Sequence, residues 1–240
     1  MTYKTTVFIN DTHCGSMYGL MSDRATLEND RSVGFGRNQE ALFEHWKLCA
    51  KKWKDPDCMI FMGDLIDGSG HYDKGTSVWT GDLDKQATDF KKLIKYWGKP
   101  KRLFSIMGTP THVQEGTIQV EEQIGRDLGS VREHGTHTTY AKLINLAPDK
   151  TYKTKQERIF HIPHHMGGTK IWMYRGTAPS RAMAILMLNE SHFLDRDRKI
   201  FGLVRAHVHH YWQEKSTSRV MQVLPAWQVQ TPFVFKIMPE

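Results

Sequence analysis

Five short segments of this chain carry side chains that bind metal ions or transfer protons. They are Asp11-Thr12-His13, Gly63-Asp64-Leu65-Ile66-Asp67, Gly108-Thr109-Pro110-Thr111-His112, Pro163-His164-His165 and His207-Val208-His209. The first three directly follow apolar runs typical of β-strands. Carboxylates and imidazoles at the ends of successive strands can converge on one edge of a sheet, where ligands commonly bind. The pattern therefore predicts a site for two adjacent metal ions.

The first half of the chain alternates predicted strands with predicted amphipathic helices. Leu42, Trp46, Cys49 and Trp53 recur at helical spacing, which predicts a helix over about 38–54. Further helices are predicted at about 82–97 and 118–128, and strands at about 3–9, 58–62 and 101–107. The segments at about 14–36 and 68–81 show no clear period and are predicted to be long loops.

The second half is rich in predicted strands. One helix is predicted, at about 178–192. The strands are predicted at about 140–146, 158–162, 200–205, 211–215, 220–224 and 233–237. Together the two halves predict an α/β fold, a layered sandwich of two mixed β-sheets flanked by helices, in a single domain over residues 1–240.

The chain is basic, with a net charge of +7 over 240 residues. A basic surface attracts phosphate backbones at long range, so polyanionic partners such as nucleic acid are favoured. The positive charge is divided among several short clusters, which is equally typical of solvated helix faces.

Composition also bears on the compartment. No apolar run reaches the roughly 18 residues of a membrane span, and residues 1–6 lack the apolar stretch of a signal peptide. A cytoplasmic protein without a membrane partner is expected. Cys14, Cys49 and Cys58 are too few and too scattered for a disulfide framework or a CxxC zinc site.

In their joint order the five segments resemble the calcineurin-like metallophosphoesterase superfamily. Its ordered blocks are DxH, GDxxD, GNH, a later histidine after a strand, and GHxH. The resemblance runs from Asp11 to His209, with Ala206 in place of the glycine of the last block. The third block, from Gly108 to His112, is closest in motif style to phage- and prophage-encoded members.

The resemblance implies a binuclear metal centre. Asp11, His13 and His209 would hold the first metal, and Asp64 would bridge both metals. Two neighbouring cations repel each other, so a shared carboxylate between them is needed. Mixed imidazole and carboxylate ligands suit two divalent transition metals, with Mn²⁺ preferred and Fe or Zn²⁺ as alternatives.

His164 and His207 would complete the second metal site by the same resemblance. His164 is preferred to His165 because it lies nearer the end of the predicted strand. The asparagine of the GNH block has no counterpart, since Thr109 follows the glycine. Three outcomes stay open there: ligation through the Thr109 hydroxyl, a water in place of the amide, or a weaker second site.

Further roles are implied beside the metals. His112 is the candidate general acid for the leaving oxygen, or a group that polarises the phosphoryl oxygen, and Asp67 would orient ligands without binding metal. Arg175, Arg181 and Arg205 are candidates for binding substrate phosphate, because a guanidinium matches phosphate oxygens.

The activity implied is a binuclear metal-dependent phosphoesterase in which a metal-bridging hydroxide attacks phosphorus in line. Basic charge and the phage-like motif favour a nuclease-like enzyme acting on phosphodiesters, in the host cytoplasm if the chain is phage-encoded. The alternatives are a phosphomonoesterase acting on protein or nucleotides, and a nucleic-acid-binding protein with a crippled metal site. A serine hydrolase is excluded, because no GxSxG segment occurs.

Overall fold

The computed structural model describes residues 3–27, 29–69, 75–115, 118–146, 158–168, 172–194, 199–216 and 218–231. The strands within these ranges are β1 (Thr6–Ile9), β2 (Cys58–Phe61), β3 (Arg102–Ile106), β4 (Gln114–Glu115), β5 (Ile118–Gln119), β6 (Thr138–Thr139), β7 (Ala141–Asn145), β8 (Ile159–Pro163), β9 (Ile200–Arg205), β10 (Trp212–Lys215) and β11 (Val220–Val223).

The structure has six α-helices in the described residues, and side-chain caps mark where two of them begin. The six helices are α1 (Arg37–Lys52), α2 (Leu83–Ile94), α3 (Pro110–Val113), α4 (Val120–Asp127), α5 (Thr177–Leu188) and α6 (Glu190–Phe193). Asp82 caps α2 by accepting hydrogen bonds from the backbone N–H groups of Asp84 and Lys85. Gln119 caps α4 in the same way through Glu122.

The first sheet has the strand order β1-β2-β3-β6, and each of these neighbouring pairs is parallel. The register places Ile9 opposite Phe61 and Phe61 opposite Ser105. Because parallel strands end at the same edge, the segments that follow β1, β2 and β3 all leave the sheet side by side.

The second sheet has the order β10-β11-β9-β8-β7 and is mixed. Its three central strands, β11, β9 and β8, are parallel, and the outer strands β10 and β7 pair antiparallel. The ends of β8 and β9 therefore lie next to each other as well.

The core clusters arrange these sheets in layers. Ile60 of the first sheet packs with Ile162 and Val204 of the second, so the two sheets face each other. The alternate residue Phe61 packs instead with Phe90 of α2, on the opposite face of the first sheet. On the outer face of the second sheet, α5 packs against β9 and β11. The structure confirms the predicted α/β fold with two sheets flanked by helices.

Several elements differ from the sequence prediction. The helix predicted at about 178–192 is divided at Asn189 into α5 and α6. The described residues of the segment at 14–36 form no helix, as predicted, but Leu20 and Met21 within it are fully buried. The strand predicted at about 233–237 lies outside the described residues. Among the described helices, none combines the length and apolar character needed to cross a membrane.

Candidate metal centre

The candidate site lies where the first three strands of the first sheet end. Pairing continues beyond β1 and β2: the N–H of Asp11 donates to Gly63 O (3.0 Å) and that of His13 to Asp64 O (3.1 Å). Beyond β8 and β9, the N–H of Ala206 donates to His164 O (3.1 Å). These loop-to-loop hydrogen bonds bring four distant segments of the chain to one place.

The first group of potential ligands is Asp11, His13 and His209, whose ligand atoms lie within 4.8 Å of one another. His13 Nε2 and His209 Nε2 are 3.1 Å apart, and Asp11 Oδ1 lies 3.4 Å from His209 Nε2. Asp11 is fully buried, and its Oδ1 has no hydrogen-bond partner among the described residues. A buried carboxylate oxygen without a donor, facing two imidazole nitrogens, is a suitable place for a cation.

The second group is Asp64, His164 and His207. Asp64 Oδ2 lies 2.9 Å from His164 Nε2 and 3.8 Å from His207 Nδ1. The Thr109 hydroxyl joins this group, at 3.0 Å from Asp64 Oδ2, 3.3 Å from His164 Nε2 and 3.1 Å from His207 Nδ1. Ligand atoms around a tetrahedral ion with bonds of about 2.0–2.1 Å lie about 3.3–3.4 Å apart, so this spacing suits a metal.

The tautomer of three histidines follows from their partners. The Nδ1–H of His164 donates to Met62 O (2.6 Å), and that of His13 donates to Asp67 Oδ1 (2.8 Å). His112 donates through Nδ1 to Asp67 O (2.9 Å). A carbonyl oxygen only accepts, so Nδ1 carries a proton in His164 and His112, and Nε2 is the nitrogen that faces the site. The structure thus places His164, and not the exposed His165, in the group with Asp64.

The site attracts positive charge strongly. Burial tends to raise the pKa of Asp64, but the imidazoles of His164 and His207 beside it hold that pKa well below its usual value. Burial tends to lower the pKa of His164, yet Asp64 beside it raises that pKa to about 9. Burial likewise tends to lower the pKa of His209, but the Asp11 carboxylate, 3.4 Å from its Nε2, outweighs burial and raises that pKa. These shifts mean that the buried carboxylates stay charged and favour cations near them.

The backbone is unusual at the candidate ligands. Eight residues other than glycine have a positive φ in the part of the chain that the structure describes. Five of them are candidate ligands: Asp11 (φ 45°), His13 (44°), Asp64 (51°), His207 (74°) and His209 (59°). This conformation costs roughly 1–2 kcal/mol per residue, and it tends to cluster at functional sites.

Two glycines of the sequence motifs allow the loops to approach closely. A Cβ on Gly63, whose φ is +90°, would lie 2.4 Å from Gly108 Cα, and a Cβ on Gly108 would lie 2.2 Å from the backbone N of Asp64. Neither distance is possible for a side chain, so the loops after β2 and β3 can touch only with glycine at both positions.

Three residues that sequence reasoning missed support the candidate ligands. Glu121 accepts hydrogen bonds from Leu65 N (2.9 Å) and Gly108 N (2.7 Å). Gln86 accepts from the backbone N–H groups of the segment that carries Asp67, and Asn10 donates to Asp11 Oδ2 (2.6 Å). In the sequence, Glu121 and Gln86 look like ordinary polar helix residues, and only their full burial distinguishes them.

The three candidate arginines are placed by other elements. Arg205 is buried in β9, and its guanidinium bonds to Val204 O and lies 3.4 Å from His161. Burial lowers the pKa of Arg205 to about 9. Arg181 is exposed on α5, and Arg175 is half-buried in the turn that precedes it. Their contact with substrate phosphate stays a prediction.

Cys14 does not offer a ready metal ligand. Burial raises the pKa of its thiol well above the usual value, so the thiolate that a metal needs is disfavoured. The side chain is fully buried within the core cluster on the helix side of the first sheet.

The sequence matches no protein-family model and no curated protein. The solved structures to which this chain is similar include two of Vps29. Vps29 from Entamoeba histolytica, in the form of a single mutant, is 10% identical with a TM-score of 0.40, over 95% of this chain and 78% of that one. Vps29 from Chaetomium thermophilum is 11% identical with a TM-score of 0.35, over 95% of this chain and 76% of that one.

Proposed function

We propose that this chain is a binuclear metal-dependent phosphoesterase of the calcineurin-like type, and that its substrate is a phosphodiester. The observation that carries the proposal is the pair of adjacent ligand groups, one around Asp11 and one around Asp64. The groups are linked, because the N–H of His207 donates to Asp11 Oδ2 (3.2 Å) and that of His13 to Asp64 O.

The charge of the pocket supports metal binding. Among the described residues, the ion pairs of Asp11, Asp64 and Asp67 are all with histidines and none is with a lysine or arginine. Buried carboxylates are costly unless a cation compensates them. Two divalent ions would compensate these, and nitrogen and oxygen ligands of this kind favour Mn²⁺, Fe or Zn²⁺.

Bound divalent ions would lower the pKa of water and neutralise charge on the phosphoryl oxygens. The protein would supply the geometry and the proton. His112 is half-buried beside His13, with a ring centroid distance of 4.8 Å. The Nδ1–H of His112 donates to the backbone carbonyl of Asp67, and the same Nδ1 lies 3.8 Å from the carboxylate oxygen Oδ1 of Asp67. In its protonated form His112 would present Nε2–H to the leaving oxygen as a general acid.

Of the three outcomes that the sequence leaves open at Thr109, the distances favour direct ligation. Its hydroxyl lies 3.0–3.3 Å from the ligand atoms of Asp64, His164 and His207, so it would be a fourth group able to hold the ion. Its backbone N–H also donates to Asp64 Oδ1 (2.6 Å). We assign Thr109 the role of the asparagine in the family pattern, with a neutral oxygen ligand in both cases.

The choice of substrate rests on charge. A net charge of +7 favours a polyanion, so nucleic acid is the proposed partner and nuclease-like cleavage the proposed reaction. A cytoplasmic location, in the host if the chain is phage-encoded, accompanies this proposal.

The test compares Mn²⁺-loaded protein on DNA, on a bis-aryl phosphodiester and on an aryl phosphomonoester. Asp64→Asn should abolish turnover while leaving the fold intact. Asp55→Asn is the matched control, because Asp55 has the same φ of 51° and lies outside the site. Retained activity in Asp64→Asn would contradict the proposal. A tenfold preference for the monoester would instead favour a phosphatase, and tight DNA binding with less than one metal per chain would favour a binding protein.

A further inference from the structure

One buried carboxylate connects the two loops that carry Asp64 and Thr109. Glu121 lies in the first turn of α4 and is fully buried. One of its oxygens accepts the N–H of Leu65 (2.9 Å), the residue after Asp64. The other accepts the N–H of Gly108 (2.7 Å), the residue before Thr109. A single side chain thus holds the backbone on both sides of the second ligand group.

The loops that carry Asp64 and Thr109 are in direct contact, so a small shift of one loop would change the distance between these two residues. Gly108 packs directly on the backbone of Asp64, and Thr109 makes two hydrogen bonds to the Asp64 carboxylate. The position of Thr109 relative to Asp64 is therefore set by how far apart the two loops lie. The two N–H groups of Leu65 and Gly108, both directed at one carboxylate, fix that distance.

The presence of a carboxylate here is costly on electrostatic grounds. Within the described residues Glu121 forms no ion pair with a lysine or arginine. Its buried charge is further disfavoured by the neighbouring carboxylate of Asp64. A neutral side chain would serve packing alone better, whereas only a carboxylate can accept from both N–H groups with two equivalent oxygens.

We infer that Glu121 is a positioning residue for the second metal site, which sets the spacing between Asp64 and Thr109 through the N–H groups of Leu65 and Gly108. This inference rests on the proposed function, because it assumes that Asp64, Thr109, His164 and His207 bind a metal. Glu121 itself touches none of the candidate ligand side chains through a hydrogen bond in the described structure.

The neighbouring Glu122 offers a matched control. It lies on the same helix, and its carboxylate also accepts backbone N–H groups, those of His137 (2.8 Å) and Thr138 (2.7 Å). These bonds tie α4 to β6 rather than to the candidate ligands. Glu121→Gln and Glu122→Gln remove the same charge from adjacent positions, but only the first affects the two loops.

The experiment is a Mn²⁺ titration followed by calorimetry and by electron paramagnetic resonance, which detects spin coupling in a paired Mn²⁺ centre. Loss of groups that orient metal ligands typically weakens binding 10- to 100-fold. We expect Glu121→Gln to weaken the second Mn²⁺ by about 10- to 100-fold and to diminish the coupled signal. The first Mn²⁺, held by Asp11, His13 and His209, should change by less than about threefold, and Glu122→Gln should leave both steps near wild type.

A second variant separates geometry from charge. Glu121→Asp keeps the charge but is one methylene shorter, so it should fail to reach both N–H groups and should behave like Glu121→Gln. The inference would be overturned if Glu121→Gln bound both Mn²⁺ ions as tightly as wild type. It would also be overturned if Glu121→Asp bound the second Mn²⁺ with wild-type affinity. If wild-type protein binds two Mn²⁺ ions and the variants are unchanged, the inference alone fails. If wild-type protein binds none, the proposed function fails and the inference with it.

Discussion

Replacement of Thr109 by valine tests whether a hydroxyl completes the second metal site. Valine has nearly the same shape as threonine but lacks the oxygen that lies 3.0 Å from Asp64 Oδ2 and 3.1 Å from His207 Nδ1. The backbone N–H of residue 109, which donates to Asp64 Oδ1, is retained. The change therefore replaces only the hydroxyl with a methyl group and leaves the backbone contact in place.

The magnitude follows from that atom's contacts. A hydrogen bond to a charged group contributes about 1.5–3 kcal/mol, and about 1.4 kcal/mol corresponds to a tenfold change in affinity. The loss of a hydroxyl that both orients Asp64 and serves as a ligand should thus weaken the second Mn²⁺ by about 10- to 150-fold. The first Mn²⁺ should be nearly unaffected, because no described hydrogen bond joins Thr109 to Asp11, His13 or His209.

The assay is a calorimetric Mn²⁺ titration of wild-type protein and three variants. Thr109→Ser keeps the hydroxyl and should bind within about threefold of wild type. Thr111→Val makes the same change at an exposed position two residues along the chain, and should have no effect. If Thr109→Val bound the second Mn²⁺ as tightly as wild type, ligation by the hydroxyl would be refuted and a water would be the better assignment.

Three further predictions concern stability. Gly108→Ala places a Cβ 2.2 Å from the backbone N of Asp64, so denaturant unfolding should show a free energy of unfolding lower by about 2–4 kcal/mol. Gly167→Ala is the control and should change that free energy little, because nothing lies within 4 Å of its Cβ. Burial raises the pKa of Glu121 from 4.5 to about 7, so the metal-free protein should lose about 3 kcal/mol of stability between about pH 4.5 and 7 relative to its stability at lower pH. That loss arises because the unfolded carboxyl ionises more readily than the folded one, and it should be missing from Glu121→Gln if the reasoning is correct. Addition of Mn²⁺ should raise the melting temperature of wild-type protein, by mass action, and an equal rise in Asp11→Asn/Asp64→Asn would argue against these ligands.

Local sequence patterns were sufficient to predict most of the elements that carry the site. The apolar run at Cys58–Phe61 forms β2 as expected, and the helical spacing of Leu42, Trp46 and Cys49 corresponds to α1. These predictions succeed because strand and helix patterns depend on neighbouring residues. The strands then end where the Asp and His segments begin, so the candidate ligands lie at the predicted edge of the first sheet.

Short elements, helix breaks and the burial of irregular segments were predicted less successfully. The helix expected at about 178–192 is divided at Asn189, whose side chain donates to Ile185 O and ends α5. The short hairpin of β4 and β5 and the short helix α3 have no clear period in the sequence. Leu20, in an irregular segment, is fully buried in the core cluster that also contains residues of α1 and α2, and the local sequence does not specify this burial.

The sequence by itself determined the kinds and the order of the chemical groups, because metal ions and proton transfer require carboxylates and imidazoles whatever the fold. Only the tertiary structure decided which atoms face each other. His13 and His209 are 196 positions apart, and their 3.1 Å approach depends on strand register and on hydrogen bonds between loops. The tertiary structure also holds five candidate ligands at positive φ. It places the buried carboxylate of Glu121 where it accepts backbone N–H groups from two of the loops. Such roles arise from packing between distant segments, and no local pattern encodes them.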